Sequence, residues 1–218
     1  MLNRRKLQLY FRKRRNAALD RVIRDLHARK GDTLQVLDVG GSPFFWETVP
    51  SRALCEITLF NQDEALESRD FRISEMNAAY RFQTGNGCDM PEIADASVDL
   101  VVCNSVIEHT VLWANMQAMA RELVRVGKHG WVQVPAHEFP VEPHYMLPIV
   151  HWLSVPNRIG LLRLLRRGTF GGKSASEMRT LIEKVNLLTG REMKALFPGK
   201  SCFRERFLLF TKSHIVSW

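Results

Sequence analysis

Leu34-Gln35-Val36-Leu37-Asp38-Val39-Gly40-Gly41-Ser42-Pro43 reads as a buried strand that runs into glycines. A serine suited to cap a helix follows, then a proline suited to its first turn. A glycine has no Cβ, so a ligand can lie against the main chain there. A carboxylate at the strand end can accept hydrogen bonds from a ligand amine or hydroxyl. Taken alone, the stretch serves equally well as a tight strand-to-helix turn capped by a buried aspartate, so the surrounding sequence decides.

Working outward, further short β-branched and apolar runs follow: CEITLF (55–60), YRFQ (80–83), VDLVVCN (98–104) and GWVQVP (130–135). Between the last two, Val111, Leu112, Met116, Met119, Ala120, Leu123 and Val124 share one helical face, with Gly127 as a stop. Strands alternating with helices imply a parallel α/β sheet. A second helical pattern covers Ser176 to Leu188. CFRERFLLF (202–210) and HIVSW (214–218) then read as strands joined by a turn at Thr211-Lys212-Ser213. No internal repeat or low-complexity segment interrupts this order.

The first strand motif, Asp38-x-Gly40, and a later stretch make a pair. Gly87-Cys88-Asp89-Met90-Pro91 precedes Asp99-Leu100-Val101-Val102-Cys103-Asn104, which leads to Glu108-His109. Together they resemble the class I S-adenosylmethionine-dependent methyltransferases. The resemblance is carried by residues 34–135 and the terminal hairpin. It implies a Rossmann-like, seven-stranded, mostly parallel sheet with a C-terminal antiparallel hairpin and helices on both faces. It also implies S-adenosyl-L-methionine as cofactor.

By the same resemblance, Asp38, Gly40, Gly41 and Ser42 form the first cofactor loop, with Ser42 where the family has its second glycine. Asp89 accepts from the adenine amino group, and Cys88 and Met90 flank the ring. Asn104 closes the fourth strand. Where the family ends its second strand with an acid that binds the ribose, this chain has Asn61, with Asp63 two residues later.

The segment 136–172 stands outside the pattern and is expected to form an insertion or lid within a methyltransferase domain spanning 31–218. It holds His137, Glu138, Glu142, His144, Tyr145 and His151. Methyl transfer to a hydroxyl calls for a base with a pKa near neutrality, which histidine supplies without large tuning. His137 and His144 are the leading candidates, with His109 beside them. The spacing matches no standard ligand motif, so no metal is expected.

Charge is unevenly spread. Residues 1–30 carry 11 basic and 2 acidic side chains, residues 31–157 carry 7 and 17, and residues 158–218 carry 13 and 4. Basic flanks suit an anionic membrane surface or, as a second choice, nucleic acid. Residues 1–30 lack the apolar core of a secretory leader and are expected to form a basic amphipathic helix. LPIVHWLSVPNRIGLLRLLRRG (147–168) has a composition suited to a membrane interface.

Cys55, Cys88, Cys103 and Cys202 are too scattered for a disulfide framework, which points to a reducing cytoplasm. The sequence reading is therefore a cytoplasmic enzyme, peripheral on the membrane, that O-methylates a glycan, glycolipid or other small-molecule hydroxyl. A methyltransferase of RNA or another metabolite, and a non-catalytic binding protein of the same fold, are the alternatives. Oligomeric state is left open.

Overall fold

Short runs rich in apolar and β-branched residues satisfy their backbone groups laterally when they lie side by side, and a parallel sheet covered on both faces is the usual result. The computed structural model describes residues 4–62, 79–165 and 172–218, with side chains from residue 15 onward. In chain order the strands of the main sheet are β1 (Leu34–Val39), β2 (Cys55–Asn61), β3 (Tyr80–Thr84), β4 (Val98–Asn104) and β5 (Gly127–Pro135). Two short strands follow, β6 (Val141–Glu142) and β7 (Leu147–Pro148), then β8 (Ser201–Phe207) and β9 (Phe210–Ser217). The seven-stranded sheet has the order β3-β2-β1-β4-β5-β9-β8, with the antiparallel pair at its C-terminal edge, while β6 and β7 form a separate ladder.

Strands β1, β2 and β4 are parallel, and the register sets Asp38 beside Leu59 on one side and Val102 on the other. Strand order reverses between β1 and β4. In open α/β sheets this reversal opens the crevice where ligands bind, at the carboxyl ends of the strands. Asp38 and Asn104 stand at those ends.

The chain divides into two compact units. The first comprises residues 1–104, 118–132 and 217–218. Its helix α1 (Arg4–Lys30) buries Leu19, Ile23 and Leu26, spaced four and three residues apart, while Arg21, Arg24 and Arg29 stay exposed. The basic amphipathic helix read from the sequence is thus a packed element over this stretch. It stops at Gly31, whose φ of 73° lets its N–H reach the His27 carbonyl at 2.8 Å.

Lys30 then donates to Asp99 Oδ2 at 2.6 Å. The Gln35 N–H (2.9 Å) and Lys128 Nζ (2.9 Å) complete a three-donor seat for that carboxylate. Burial alone would raise the Asp99 pKa. The donors outweigh it and hold the carboxyl at about 2.

Helix α2 (Pro43–Trp46) begins on the predicted proline, but the Ser42 side chain makes no capping bond. Helix α3 (Trp113–Val126) runs into β5 without a loop, so the strand starts at Gly127, three residues before the sequence pattern placed it. A Cβ on Gly127 would lie 2.6 Å from Val101 Cγ1, so the glycine stops the helix by lying flush on β4.

The second unit comprises residues 105–117 and 133–216. It contains α4 (Val155–Leu165), α5 (Ala175–Glu183) and α6 (Gly190–Leu196). The single helix expected over 176–188 ends instead at Glu183, and a further helix follows. Each has its own capping box, Ser174 with Glu177 and Thr189 with Glu192, and the second box starts a new helix where apolar periodicity alone suggested continuation.

Val150, Leu162, Met178 and Ile182 form a core joined by Val155, Ile159 and Leu161, so much of the apolar surface expected at a membrane interface packs internally. Arg166 and Arg167 lie outside the described residues. The hairpin turn falls at Leu208-Leu209, not at Thr211-Lys212-Ser213, which lies within β9. Polarity favoured the latter, but Leu208 takes a φ of 54° and supplies the turn without glycine.

Candidate functional site

In the first unit the predicted cofactor residues gather at the carboxyl ends of β1, β2 and β4. Asp38 is buried, and its Oδ2 accepts from Trp46 Nε1 at 2.8 Å. Its Oδ1 is buried without a partner among the described residues. Burial pushes the carboxyl up to about 7, and the single indole donor only partly opposes it.

Gly40 has a φ of 76° and donates to the Phe60 carbonyl at 2.8 Å, which pins the loop to β2. A Cβ on Gly41 would fall 1.7 Å from Asp38 Oδ2, so the main chain rests directly on the carboxylate.

Asn61 explains its departure from the family's acid. Its Nδ2 donates to the Gly41 carbonyl at 3.1 Å, a bond that a carboxylate cannot make, and Oδ1 is its remaining acceptor. Asp63 lies outside the described residues.

Asn86 organises the second loop. Its side-chain oxygen accepts from the Cys88 N–H (3.0 Å) and from Gln62 Nε2 (3.1 Å), and its carbonyl accepts from the Asp89 N–H at 2.9 Å. Gly87 allows the loop to touch the core, because a Cβ there would meet Met119 Cε at 2.6 Å and Val39 Cγ1 at 2.8 Å. Asp89 is exposed and Cys88 half-buried, so both can reach a ligand. Met90 is fully buried and its N–H donates to Glu122 Oε2 at 2.8 Å.

Sequence reasoning missed the clamp beneath this loop. Arg125 donates to the carbonyls of Met90 (2.8 Å) and Ile93 (2.7 Å) and pairs with Asp95 and Glu122. Its only sequence signal is an acid and a base three residues apart on the crossover helix. Trp46 was missed as well, since nothing in the sequence marks it as the partner of Asp38.

Asn104 ends β4 with a buried Oδ1 that has no partner among the described residues. Asp38 and Asn104 thus offer two buried acceptors that a donor-rich, cationic ligand end would satisfy. With the glycine contacts of the first loop and the exposed Asp89 of the second, these residues fit S-adenosyl-L-methionine.

The second unit sorts the catalytic candidates into pairs. Glu142 is buried. Its Oε1 lies 2.6 Å from His144 Nδ1, and its Oε2 accepts from the Tyr145 N–H at 2.6 Å. The carboxylate's hydrogen bond raises the His144 pKa against the effect of burial. The His109 ring stands edge-on to His144 with centroids 5.3 Å apart. Burial and the neighbouring imidazole lower its pKa, opposed by a backbone contact at Lys184.

His137 packs edge-on with His151 at 5.4 Å, and its carbonyl accepts from His151 Nε2 and Trp152 Nε1. Glu138 reaches His214 Nε2 at 2.9 Å and the Gly190 N–H at 3.0 Å, a partnership the sequence did not signal. Among the described residues, no three His, Cys, Asp or Glu side chains are placed to share a metal ion, and no helix is long and apolar enough to cross a membrane.

Comparison with known proteins agrees with this geometry. No curated protein matches the sequence. Residues 37–132 match the methyltransferase domain family.

Among solved structures, a candidate O-methyltransferase of Nostoc punctiforme PCC 73102 superposes with a TM-score of 0.54 at 15% identity, over 94% of this chain and 55% of its own. This chain therefore spans just over half the length of that relative. Magnesium protoporphyrin IX methyltransferase of Synechocystis PCC 6803, solved with bound S-adenosylhomocysteine, gives 0.54 at 13% identity over 93% and 82%. An S-adenosylmethionine-dependent methyltransferase of Aquifex aeolicus gives 0.50 at 12% over 85% and 82%.

At these identities the structural likeness speaks for the fold. The match at 37–132, with the cofactor motifs inside it, is to the methyltransferase domain family, and over that stretch the chain is similar to S-adenosylmethionine-dependent methyltransferases.

Proposed function

We propose that the protein transfers the methyl group of S-adenosyl-L-methionine to a hydroxyl of a glycan, glycolipid or other small molecule at an anionic membrane surface. In this reading the Glu142–His144 pair takes the hydroxyl proton. The observation that carries the reading is the 2.6 Å contact between His144 Nδ1 and a buried Glu142 that a second, main-chain donor also holds.

The cofactor supplies an electrophilic methyl carbon on a sulfonium with a neutral thioether as leaving group. Asp38 and Asn104 receive its polar end, Asp89 accepts from its adenine, and Asn61 holds the glycine loop in place. His144 donates its Nδ1 proton to Glu142, which fixes the tautomer and leaves Nε2 as the acceptor for the substrate proton. Glu142 then stabilises the imidazolium that forms. His109 is held toward its neutral form beside it, so the two imidazoles do not share a positive charge. The basic flanks support attraction to anionic lipid, where a lipid-linked acceptor would be met.

Methyl transfer to a panel of glycolipid and small-molecule hydroxyl acceptors, followed across pH, tests this. The rate should rise with pH through a histidine pKa above 6.5, and Glu142→Gln should move that limb downward. His144→Asn should lose about 10²–10⁴-fold in kcat with cofactor affinity intact. Wild-type turnover by His144→Asn would remove the proposed base.

A further inference from the structure

We infer that the tip of the C-terminal hairpin, Leu208-Leu209-Phe210 backed by Arg204 and Arg206, inserts into the interface of an anionic lipid bilayer. The inference rests on the membrane-surface part of the function proposed above and assigns the contact to an element that the sequence did not single out.

The turn itself is the first argument. Strands β8 and β9 are joined by two residues, and the first, Leu208, has a φ of 54°. Glycine or asparagine adopts that conformation cheaply, and two-residue hairpins ordinarily use them. Here the position is occupied by a side chain whose conformational preference opposes the turn and whose surface contributes nothing to the core. Leu208 is 79% exposed, Leu209 95% and Phe210 45%. An apolar tip held out by a strained turn is favourable only where it leaves water.

The arrangement behind the tip selects the partner. Side chains alternate along β8, so Arg204 and Arg206 share one face of the strand that leads to the tip, and both are exposed. At about 3.4 Å per residue, Arg206 sits about 7 Å behind Leu208 and Arg204 about 14 Å behind it. Elements that lie in a membrane interface bury their apolar parts about 5–10 Å into the boundary of headgroups and acyl chains. With the leucines at that depth, Arg206 meets the phosphate layer and Arg204 the outer headgroups. The one acid of β8, Glu205, is buried on the opposite face and does not oppose them. The same arginines lie along the edge strand of the sheet, where like charges disfavour strand addition by a second copy of the chain.

Co-sedimentation of the full chain with vesicles of pure phosphatidylcholine, and of phosphatidylcholine mixed with phosphatidylglycerol, tests the assignment. Calorimetric binding of S-adenosyl-L-methionine and the thermal midpoint report the fold. The wild type should bind the anionic vesicles alone. Leu208→Ser with Leu209→Ser should weaken vesicle binding by about tenfold or more while cofactor binding and midpoint stay unchanged. Arg204→Gln with Arg206→Gln should erase the preference for the anionic lipid.

If the wild type binds and the double serine variant binds equally well, the hairpin assignment is overturned while the membrane-surface reading survives on other segments. If the wild type ignores both vesicles, both are overturned. A wild-type dimer in sedimentation that the serine variant turns to monomer would overturn the assignment in favour of a second copy of the chain.

Discussion

Asp38 and Asp99 stand on neighbouring parallel strands, near opposite ends of the β1–β4 pair, and the chain treats their carboxylates in opposite ways. Asp99 sits at the amino ends, level with Gln35, and receives Lys30, Lys128 and the Gln35 N–H, which hold it at about 2. Asp38 sits at the carboxyl ends, receives Trp46 Nε1 alone among the described residues, and is pushed up to about 7 with its other oxygen unpartnered among them. A carboxylate whose donors all come from the chain is a structural tie. One buried with a donor missing is stable only at a cost that a ligand can relieve. The contrast tells the two ends of the sheet apart without reference to any motif.

Asp99→Ala should produce the largest change. It takes the acceptor from Lys128 and from the Gln35 N–H, leaves Lys30 with the Thr33 carbonyl, and unties α1 from β4. The expected loss is about 2–3 kcal/mol, read as a lower urea midpoint, with cofactor affinity of the folded protein unchanged. The sign with pH follows from the lowered pKa. The tie's stabilisation is present above the ordinary 3.8 and is lost as pH falls through about 2, so the wild type, and not the variant, should show this acid-limb loss. A variant with wild-type stability would break the comparison at its structural end.

How much of this was legible in the sequence varies by element. Strands β1 to β4 and the loop after β1 could be read directly, because runs such as VDLVVCN and the Asp-x-Gly step have few other physical solutions. The seat of Asp99 could not, since Lys30 lies 69 residues away and Lys128 29 residues away, and no local pattern reports such contacts.

The histidines were legible as a composition and not as pairs. The Glu142–His144 contact depends on a two-residue ladder between β6 and β7 and on Met146 and Ile149 at positive φ, where no glycine announces the turn. Asn61 looked like a loss and is a donor to Gly41. Met90 is packed in the core beside the loop it was read from.

Asp38→Asn should have the next largest effect, this time on binding. The amide cannot answer a cationic ligand with charge, so affinity for S-adenosyl-L-methionine should weaken by about tenfold in calorimetry, equivalent to about 1.4 kcal/mol. Stability should respond with the opposite sign to that at Asp99. The raised pKa gives a contribution that is full below 3.8 and is lost as pH rises through about 7, and the variant should not show this decline. Cofactor affinity of the wild type should rise as pH passes through about 7 and the folded carboxyl ionises, and the variant should be flat. Unchanged affinity in Asp38→Asn would make the buried carboxylate a mere capping group.

Trp46→Phe gives the smallest expected effect and the sharpest view of the difference between the two aspartates. Trp46 is fully buried, and its indole N–H is the one donor Asp38 has among the described residues. Phenylalanine keeps most of the apolar volume and removes that donor, at a cost of about 1 kcal/mol in stability at neutral pH. Because the donor favours the ionised form, its removal should move the Asp38 titration further upward, so the pH at which cofactor affinity rises shifts in the same direction while the limiting affinity at high pH is kept. A Trp46→Phe variant whose affinity falls equally at every pH would mean that the indole shapes the loop and leaves the charge of Asp38 alone.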